Sequence, residues 1–361
     1  MLTVALLFGG RSSEHTISCA TAGGVLGAID RAKYRVIPIG ITREGAFTLQ
    51  EDDAAAFVMN PDDMPEVHDN GTRVFWPEST LSRELSYVDA AGVRRSLGDV
   101  DVVFPILHGP FGEDGTIQGL LELTGLPYVG NGVLASALGM NKHFTKNALV
   151  AAGVEVAPWI TVSPLKWAND NELWRSRAQS LGLPVFVKPA RAGSSVGVTK
   201  VSDWSELDAA LEVAFAEDST ALIESAIVGR EVECAVLSGR SGGATRVSVA
   251  GEIIVHGRDF YDFEAKYLDG SAAELVCPTN LRDGELAEMQ RIAARAFEAI
   301  GGSGLARVDF FFTGTSFIVN ELNTMPGFTP ISMFPKCWEA SGLSYPDLID
   351  ELIELGLETV R

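Results

Sequence analysis

The chain has 361 residues, 46% of them hydrophobic, and a formal net charge of −20. Its length allows two or three domains with sizeable cores. The acidic balance excludes nucleic acid and an anionic membrane as partners, because both need a basic surface, but it leaves room for a small anion gripped by local lysines. No run reaches the roughly 18 apolar residues of a membrane helix, and LTVALLF near the start reads as a strand, since no basic region precedes it. Cys19, Cys234, Cys277 and Cys337 are widely spaced and form neither a zinc pattern nor a disulfide framework, which fits a reducing cytoplasm.

In chain order, the apolar patterns predict a strand over 2–8, a helix over 17–29 and a strand over 34–41, a βαβ opening that implies a parallel sheet. Residues 43–98 are rich in Asp, Pro and short β-like pieces and read as a decoration on the first domain. A buried-type strand over 101–107 then ends in HGPFGEDG, followed by helices over 116–124 and around 141–152. Strands over 158–162, 184–188, 196–201 and 221–224 alternate with helical spacing over 171–181 and 205–216. The last third carries strands over 231–237 and 246–256, a long polar loop over 256–276, a helix over 283–300, a hairpin over 305–323 and a closing helix over 345–357. The boundaries fall at 1–135, 136–226 and 227–361, in an α/β protein. A loop as long as 256–276 inside a compact domain is more often functional than idle.

The hairpin LARVDFFFTGTSFIVNELN is the most informative stretch. Strand alternation puts Arg307 and Asp309 on one face and Glu321 and Asn323 on one face of the partner strand. The two pairs meet only if Asp309 lies opposite Glu321, which calls for an odd-length loop, three residues around Gly314. Two carboxylates and an amide oxygen beside a guanidinium suit a hard cation such as Mg²⁺. A salt-bridged, solvent-facing hairpin would have the same pattern.

Three glycine-rich turns add to it. FGGRSSEHTIS lacks the Rossmann spacing, but Glu14 in that turn is placed to bind a cationic group. LHGPFGEDGTIQG puts His108 at the carboxyl end of a strand, where open α/β sheets bind ligands. PVFVKPARAGSSVGV reads as a hairpin whose strand ends in Lys188 and whose Gly/Ser loop can fold over phosphates. It is not a P-loop, which precedes a helix. Lys142 and Lys266 are further candidate cations. Glu224 and Glu231 flank SAIVG, whose backbone could meet a base edge while Glu231 takes ribose hydroxyls.

Taken together, GGRSSEHTIS, LHGPFGEDGTIQG, GMNKHFTKNAL, PVFVKPARAGSSVGV, LIESAIVGREVECAVL, FYDFEAKY, GLARVDFFF and NELNTMPGFTPISMFP resemble, in that order and nearly end to end, the D-alanine-D-alanine ligases of the ATP-grasp superfamily. The resemblance implies an ATP-grasp fold preceded by an N-terminal substrate-binding domain, and ATP-dependent synthesis of D-alanyl-D-alanine for peptidoglycan precursors in the cytoplasm by a homodimer. It implies that Lys142, Lys188, Ser194, Ser195 and Lys266 serve ATP phosphates and their loops, that Glu224, Ser225, Ala226 and Ile227 line the adenine, and that Glu231 holds the ribose. Asp309, Glu321 and Asn323 would bind two Mg²⁺, with Mn²⁺ an alternative. Glu14 would take the ammonium of the first D-alanine, with His108 near its carboxylate. Ser194 and Tyr267 would latch the long loop with Glu14. Arg307 and the Gly327 N–H would form the oxyanion site, with Ser332 and Met333 at the second substrate. The chain departs from the family pattern at Asn141, where Asp is frequent, and at Ser225 and Ala226, where a lysine and an aromatic are frequent.

The chemistry agrees with the residue types. A carboxylate must become an acyl phosphate before an amine attacks it, so no enzyme nucleophile is needed and charge neutralisation carries the rate. Two other outcomes share the motifs: a ligase making D-alanyl-D-lactate or D-alanyl-D-serine, and a non-catalytic nucleotide-binding protein. In the family, the tyrosine of EAKY accompanies D-alanine.

Overall fold

In a computed structural model of the protein, residues 1–60, 63–193, 195–255 and 273–358 are described, and all counts below refer to these. Ser194, Lys266, Tyr267 and most of the expected 256–276 loop lie outside the described residues.

The chain opens with β1 (Leu2–Gly9), α1 (His15–Ala28), β2 (Tyr34–Ile41) and β3 (Phe47–Leu49), and β7 (Val102–Pro105) returns to the same sheet in the order β3-β2-β1-β7. β2 and β7 flank β1 in parallel, as the βαβ pattern predicts, and only the short edge strand β3 runs antiparallel. Central β1 is buried from Thr3 to Gly9 because both sheet faces are covered. The decoration is a small antiparallel meander of β4 (Arg73–Phe75), β5 (Glu84–Val88) and β6 (Arg94–Asp99). Since β1 and β7 are parallel neighbours, the loops bearing Glu14 and His108 leave the sheet side by side at its carboxyl edge. Helices α2 (Thr116–Thr124), α3 (Val133–Met140) and α4 (Lys142–Ala151) follow.

The second sheet holds β8 (Trp159–Val162), β9 (Val185–Pro189), β10 (Thr199–Val201) and β11 (Ala221–Ser225), ordered β10-β9-β11-β8 with every pairing antiparallel. Helices α5 (Pro164–Asn169), α6 (Asn171–Gln179) and α7 (Leu207–Glu217) complete this unit, with Val185, Val187, Leu211 and Ile223 in its core. Along β9 the buried Val185, Val187 and Pro189 alternate with less buried Phe186 and Lys188, so Lys188 points away from that core. β9 and β10 form the predicted hairpin. Its second strand starts at Thr199, later than the expected 196, because the turn carries left-handed backbone at Ser195 (φ 59) and Gly197 (φ 73).

The third sheet is β12 (Arg230–Leu237), β13 (Arg246–Val255), β14 (Ala273–Val276), β15 (Leu305–Phe312) and β16 (Phe317–Asn323), ordered β14-β13-β12-β15-β16, with α8 (Asp283–Ala299), α9 (Met333–Ala340) and α10 (Tyr345–Glu358). Residues 273–276, expected in the long loop, are instead an edge strand paired with β13. Hydrophobic cores cross the chain order. Ala135, Leu149 and Val154, from α3, α4 and just beyond, pack with Val308 and Phe310 of β15. Leu348, Ile349 and Leu352 of α10 pack with Val4, Leu6 and Phe8 of β1. These contacts tie the first and third sheets into one framework around the cleft between them.

Candidate active site

The β15–β16 hairpin places Asp309 opposite Glu321 and Arg307 opposite Asn323, the register the polar alternation demands. The route differs from the expected three-residue loop. Phe312 pairs with Phe317 across a four-residue turn, and the register shifts between Asp309 and Phe310, leaving Asn320 as an extra residue on β16. That one-residue bulge supplies the odd count that the turn lacks. Arg307 donates from Nε to Asp309 Oδ1 and from an Nη to Asp309 Oδ2, both at 2.7 Å. Asn323 Nδ2 donates to Asp309 Oδ2 at 2.9 Å. Glu233, directly opposite Asp309 on β12, brings a second carboxylate to 3.0 Å from Arg307 Nε. These carboxylates raise the Arg307 pKa well above its ordinary value despite burial, so Arg307 is a fixed cation.

At the start of α4, Asn141 caps the helix, its Oδ1 accepting from His143 N at 3.1 Å and Phe144 N at 3.3 Å. Asparagine does this as well as aspartate, so the departure from the family pattern leaves Lys142 where it is needed. Lys142 Nζ donates to Ala192 O at 2.7 Å and lies 3.5 Å from Glu321 Oε2, linking the Gly/Ser loop to the hairpin. Lys188 Nζ is 2.8 Å from Glu224 Oε1.

At the carboxyl edge of the first sheet, Ser12 Oγ donates to His108 O at 2.6 Å and accepts from Glu14 N at 3.2 Å, fastening the two loops together. Gly109 and Gly193 both pack against Glu14: a Cβ built on either would sit 3.0 Å from its Oε2. The Gly/Ser loop therefore reaches Glu14, one residue before Ser194. His108 is buried, and burial lowers its pKa, so the ring is neutral. Its Nδ1 is 3.1 Å from Met325 O, and since a carbonyl only accepts, Nδ1 carries the proton. Nε2, with no partner among the described residues, is left as an acceptor. An acceptor suits an ammonium better than the carboxylate expected beside His108. Ser332 Oγ accepts from Thr329 N at 3.2 Å beside Gly327, where an added Cβ would lie 3.2 Å from that oxygen.

Two adjoining cavities collect these residues. One, of about 340 Å³, lies between the second and third sheets and is bordered by Phe186, Lys188, Ser195, Glu224, Ser225, Ile227, Glu231 and Asp309. The other, of about 280 Å³, lies at the edge of the first sheet and is bordered by Glu14, His108, Asn323, Gly327, Ser332 and Met333. Lys142, Arg307 and Glu321 border both. Ala226 borders neither: its N–H is given to Pro184 O at 3.1 Å, so its expected place against a base is not supported by the cavity.

Sequence reasoning missed three ionisable residues. Glu233 shares the alternation of Glu231 on β12, a signal present in REVE. Glu113 lies in the cavity loop, its oxygens accepting from Gly109 N at 2.6 Å and Met325 N at 3.2 Å. Burial, ahead of the nearby Glu14 carboxylate, pushes its carboxyl up to about 8. Lys146, one turn after Lys142, is buried 2.7 Å from Glu224 Oε2. Among the described residues, no group of three or more His, Cys, Asp or Glu forms a metal cluster, and no helix is long and apolar enough to cross a membrane. The hairpin's donors are instead two carboxylates and an amide oxygen. Asn323 turns its amide N–H to Asp309 and so keeps its oxygen available, a set that fits a hard cation.

A four-stranded antiparallel sheet facing a five-stranded one across a lysine-bordered cleft, behind an N-terminal parallel-sheet domain, defines an ATP-grasp ligase. The family models described as D-ala D-ala ligase N-terminus and C-terminus match residues 3–131 and 148–354. The chain is 53% identical to the D-alanine-D-alanine ligase of Paenarthrobacter aurescens, covering 98% of this chain and 94% of that one. It is 48% identical to that of Streptomyces coelicolor, covering 98% and 92%. Its structure resembles the D-alanine-D-alanine ligase from Coxiella burnetii (TM-score 0.82, 37% identity, 99% and 94% covered). It also resembles the VanG D-Ala:D-Ser ligase from Enterococcus faecalis (TM-score 0.83, 34% identity, 98% and 99% covered). The chain belongs to the D-alanine-D-alanine ligase family.

Proposed function

We propose that the protein joins two D-alanines into D-alanyl-D-alanine, driven by ATP through an acyl phosphate with release of ADP and phosphate, in the cytoplasm and for peptidoglycan precursors. The observation that carries this reading is the pair of cavities joined at Lys142, Arg307 and Glu321. The cavity between the sheets takes ATP, with Glu224, Ser225 and Ile227 at the base, Glu231 at the ribose, and Lys142, Lys188 and Ser195 at the phosphates. The other cavity takes the amino acids. Glu14 and the Nε2 acceptor of His108 receive the ammonium of the first D-alanine, and Ser332 and Met333 hold the second.

Asp309, Glu321 and Asn323 would hold two Mg²⁺ ions, or Mn²⁺. When bound, they neutralise charge on the transferring phosphoryl group. Arg307 reaches both cavities and is held rigid by Glu233 and Asp309, so it is aimed in advance at the charge that develops on the phosphoryl group and then on the tetrahedral oxyanion. The Gly327 N–H supports the same oxyanion. The acyl phosphate must be kept from water, and Ser194, Lys266 and Tyr267 are proposed to cover it. A homodimer is the assembly that family resemblance implies, and sedimentation equilibrium tests it.

Phosphate release with D-alanine, D-serine and D-lactate as second substrates tests the reading. We expect D-alanine to be preferred across neutral pH, with ADP and the dipeptide as products. Preference for D-lactate or D-serine would assign the second cavity to a depsipeptide or mixed dipeptide. Nucleotide binding without any ligation would make the protein a non-catalytic relative.

A further inference from the structure

Three charged side chains meet where α4, β9 and β11 converge. Glu224 holds Lys146 Nζ at 2.7 Å on Oε2 and Lys188 Nζ at 2.8 Å on Oε1. Two ammoniums on one carboxylate is one more than local charge balance requires. The two lysines differ in their surroundings. Lys188 and Glu224 border the nucleotide cavity, whereas Lys146 borders neither cavity. The Lys146 side chain is 2% exposed. Its Nζ lies 3.4 Å from Ala157 O and 5.6 Å from the centre of the Trp159 ring, so it has a fixed seat behind Glu224. Lys188 borders the cavity, so a ligand there can reach its ammonium.

A phosphate entering the cavity competes with Glu224 for Lys188. If Lys188 were the sole partner of Glu224, its departure would strand a buried carboxylate, which is strongly unfavourable. With Lys146 behind it, Glu224 keeps a cation at hydrogen-bond distance whichever way Lys188 turns. Burial alone would raise the Glu224 pKa, but the two ammoniums override it and hold the carboxyl below its ordinary value, so the charge to be balanced is present.

We propose that Lys146 is a positioning residue for ATP use: the standing counter-ion of Glu224, whose presence lets Lys188 exchange the carboxylate for a nucleotide phosphate. The proposal rests on the reading that the cavity between the sheets binds ATP. It separates two lysines one turn apart on α4: Lys142 reaches the ligand cavities, and Lys146 acts only through Glu224.

Calorimetric titration with Mg²⁺-ADP on the wild type, Lys146→Met, Glu224→Gln and the double variant tests it. Lys146→Met is expected to weaken ADP binding at least about tenfold when Glu224 is present, because Lys188 is then locked in place. In the Glu224→Gln background the same change is expected to cost less than about twofold, the hallmark of a residue acting through its neighbour. The kcat of Lys146→Met at saturating ATP stays within about threefold of wild type, while KM for ATP carries the loss. Equal weakening in both backgrounds, or none in either, would overturn the proposal, since a packing role does not depend on the charge at 224. If Lys146→Met alone fails to fold, the comparison of Glu224→Gln with the double variant still decides: a tenfold loss there contradicts the counter-ion role. A wild type that binds no ADP would overturn the nucleotide reading itself, and this proposal with it.

Discussion

Glu321 stands at the junction of the two cavities, 3.5 Å from Lys142 on one side and opposite Asp309 on the other. Glu321→Gln keeps its volume and removes its charge. It is expected to lower kcat by at least about a hundredfold, the scale of losing one electrostatic stabiliser. Stability should change by no more than about 0.5 kcal/mol, as at other partly exposed positions. Steady-state kinetics with thermal denaturation checks both, and an unchanged kcat would contradict the metal role. Glu113 gives a pH signature of opposite kind. Its folded carboxyl titrates at about 8 against an ordinary value of 4.5. Stability is therefore fully present below about 4.5, where both states are protonated, and drains as pH rises through 8 while only the folded state holds its proton. Melting temperatures from pH 5 to 9 should fall more steeply for wild type than for Glu113→Gln, and parallel curves would refute the raised pKa. Arg307, Asp309, Glu321 and Asn323 were legible in sequence because strand periodicity sorts them onto one face. Glu113 and Lys146 were not, because their buried surroundings and partners come from other elements: the Met325 N–H for Glu113, and Glu224 on β11 for Lys146.

Among the elements, β15–β16 shows why pairing outranks turn length. The polar faces required Asp309 against Glu321, and the chain meets that through a four-residue turn plus the Asn320 bulge in place of a three-residue turn. A turn can be guessed from TGTS, but a bulge depends on how the sheet twists against its neighbours. At α4 the same logic favours function over family habit. Asn141→Ala removes the cap and is expected to cost about 1 kcal/mol and to raise KM for ATP, because Lys142 is the next residue. Asn141→Asp should match wild type in both. Denaturant unfolding and ATP titration check it, and a gain in ATP affinity for Asn141→Asp would mean that this departure matters. The helices expected over 116–124, 283–300 and 345–357 were readable in the sequence to within one residue of their observed ends, whereas strand β14 was hidden inside a polar run and exists through its pairing with β13.

Across the whole molecule, the proposed function requires the cavity at the edge of the first sheet to meet the hairpin of the third. Asn131 helps to set that distance. Its Nδ2 donates to Leu305 O at 2.6 Å and Thr324 O at 2.9 Å, and its Oδ1 accepts from Ser303 N at 2.9 Å. These bonds clamp both ends of the hairpin to the end of the N-terminal unit. Asn131→Ala removes the side-chain donor to two buried backbone carbonyls, Leu305 O and Thr324 O, and is expected to cost about 2–4 kcal/mol and to lower kcat about tenfold or more through misalignment. Chemical unfolding and single-turnover kinetics check the two effects, and a kcat equal to wild type would show that the clamp serves stability alone. Such long-range ties were outside the reach of sequence patterns, which order elements along the chain and not across it. The central claim, that two joined cavities couple ATP to peptide-bond formation, is tested most directly by following ADP, phosphate and dipeptide together with purified protein, ATP, Mg²⁺ and D-alanine. One ADP and one phosphate are expected per D-alanyl-D-alanine, with little turnover on L-alanine. ATP hydrolysis independent of D-alanine, or no dipeptide at all, would contradict it.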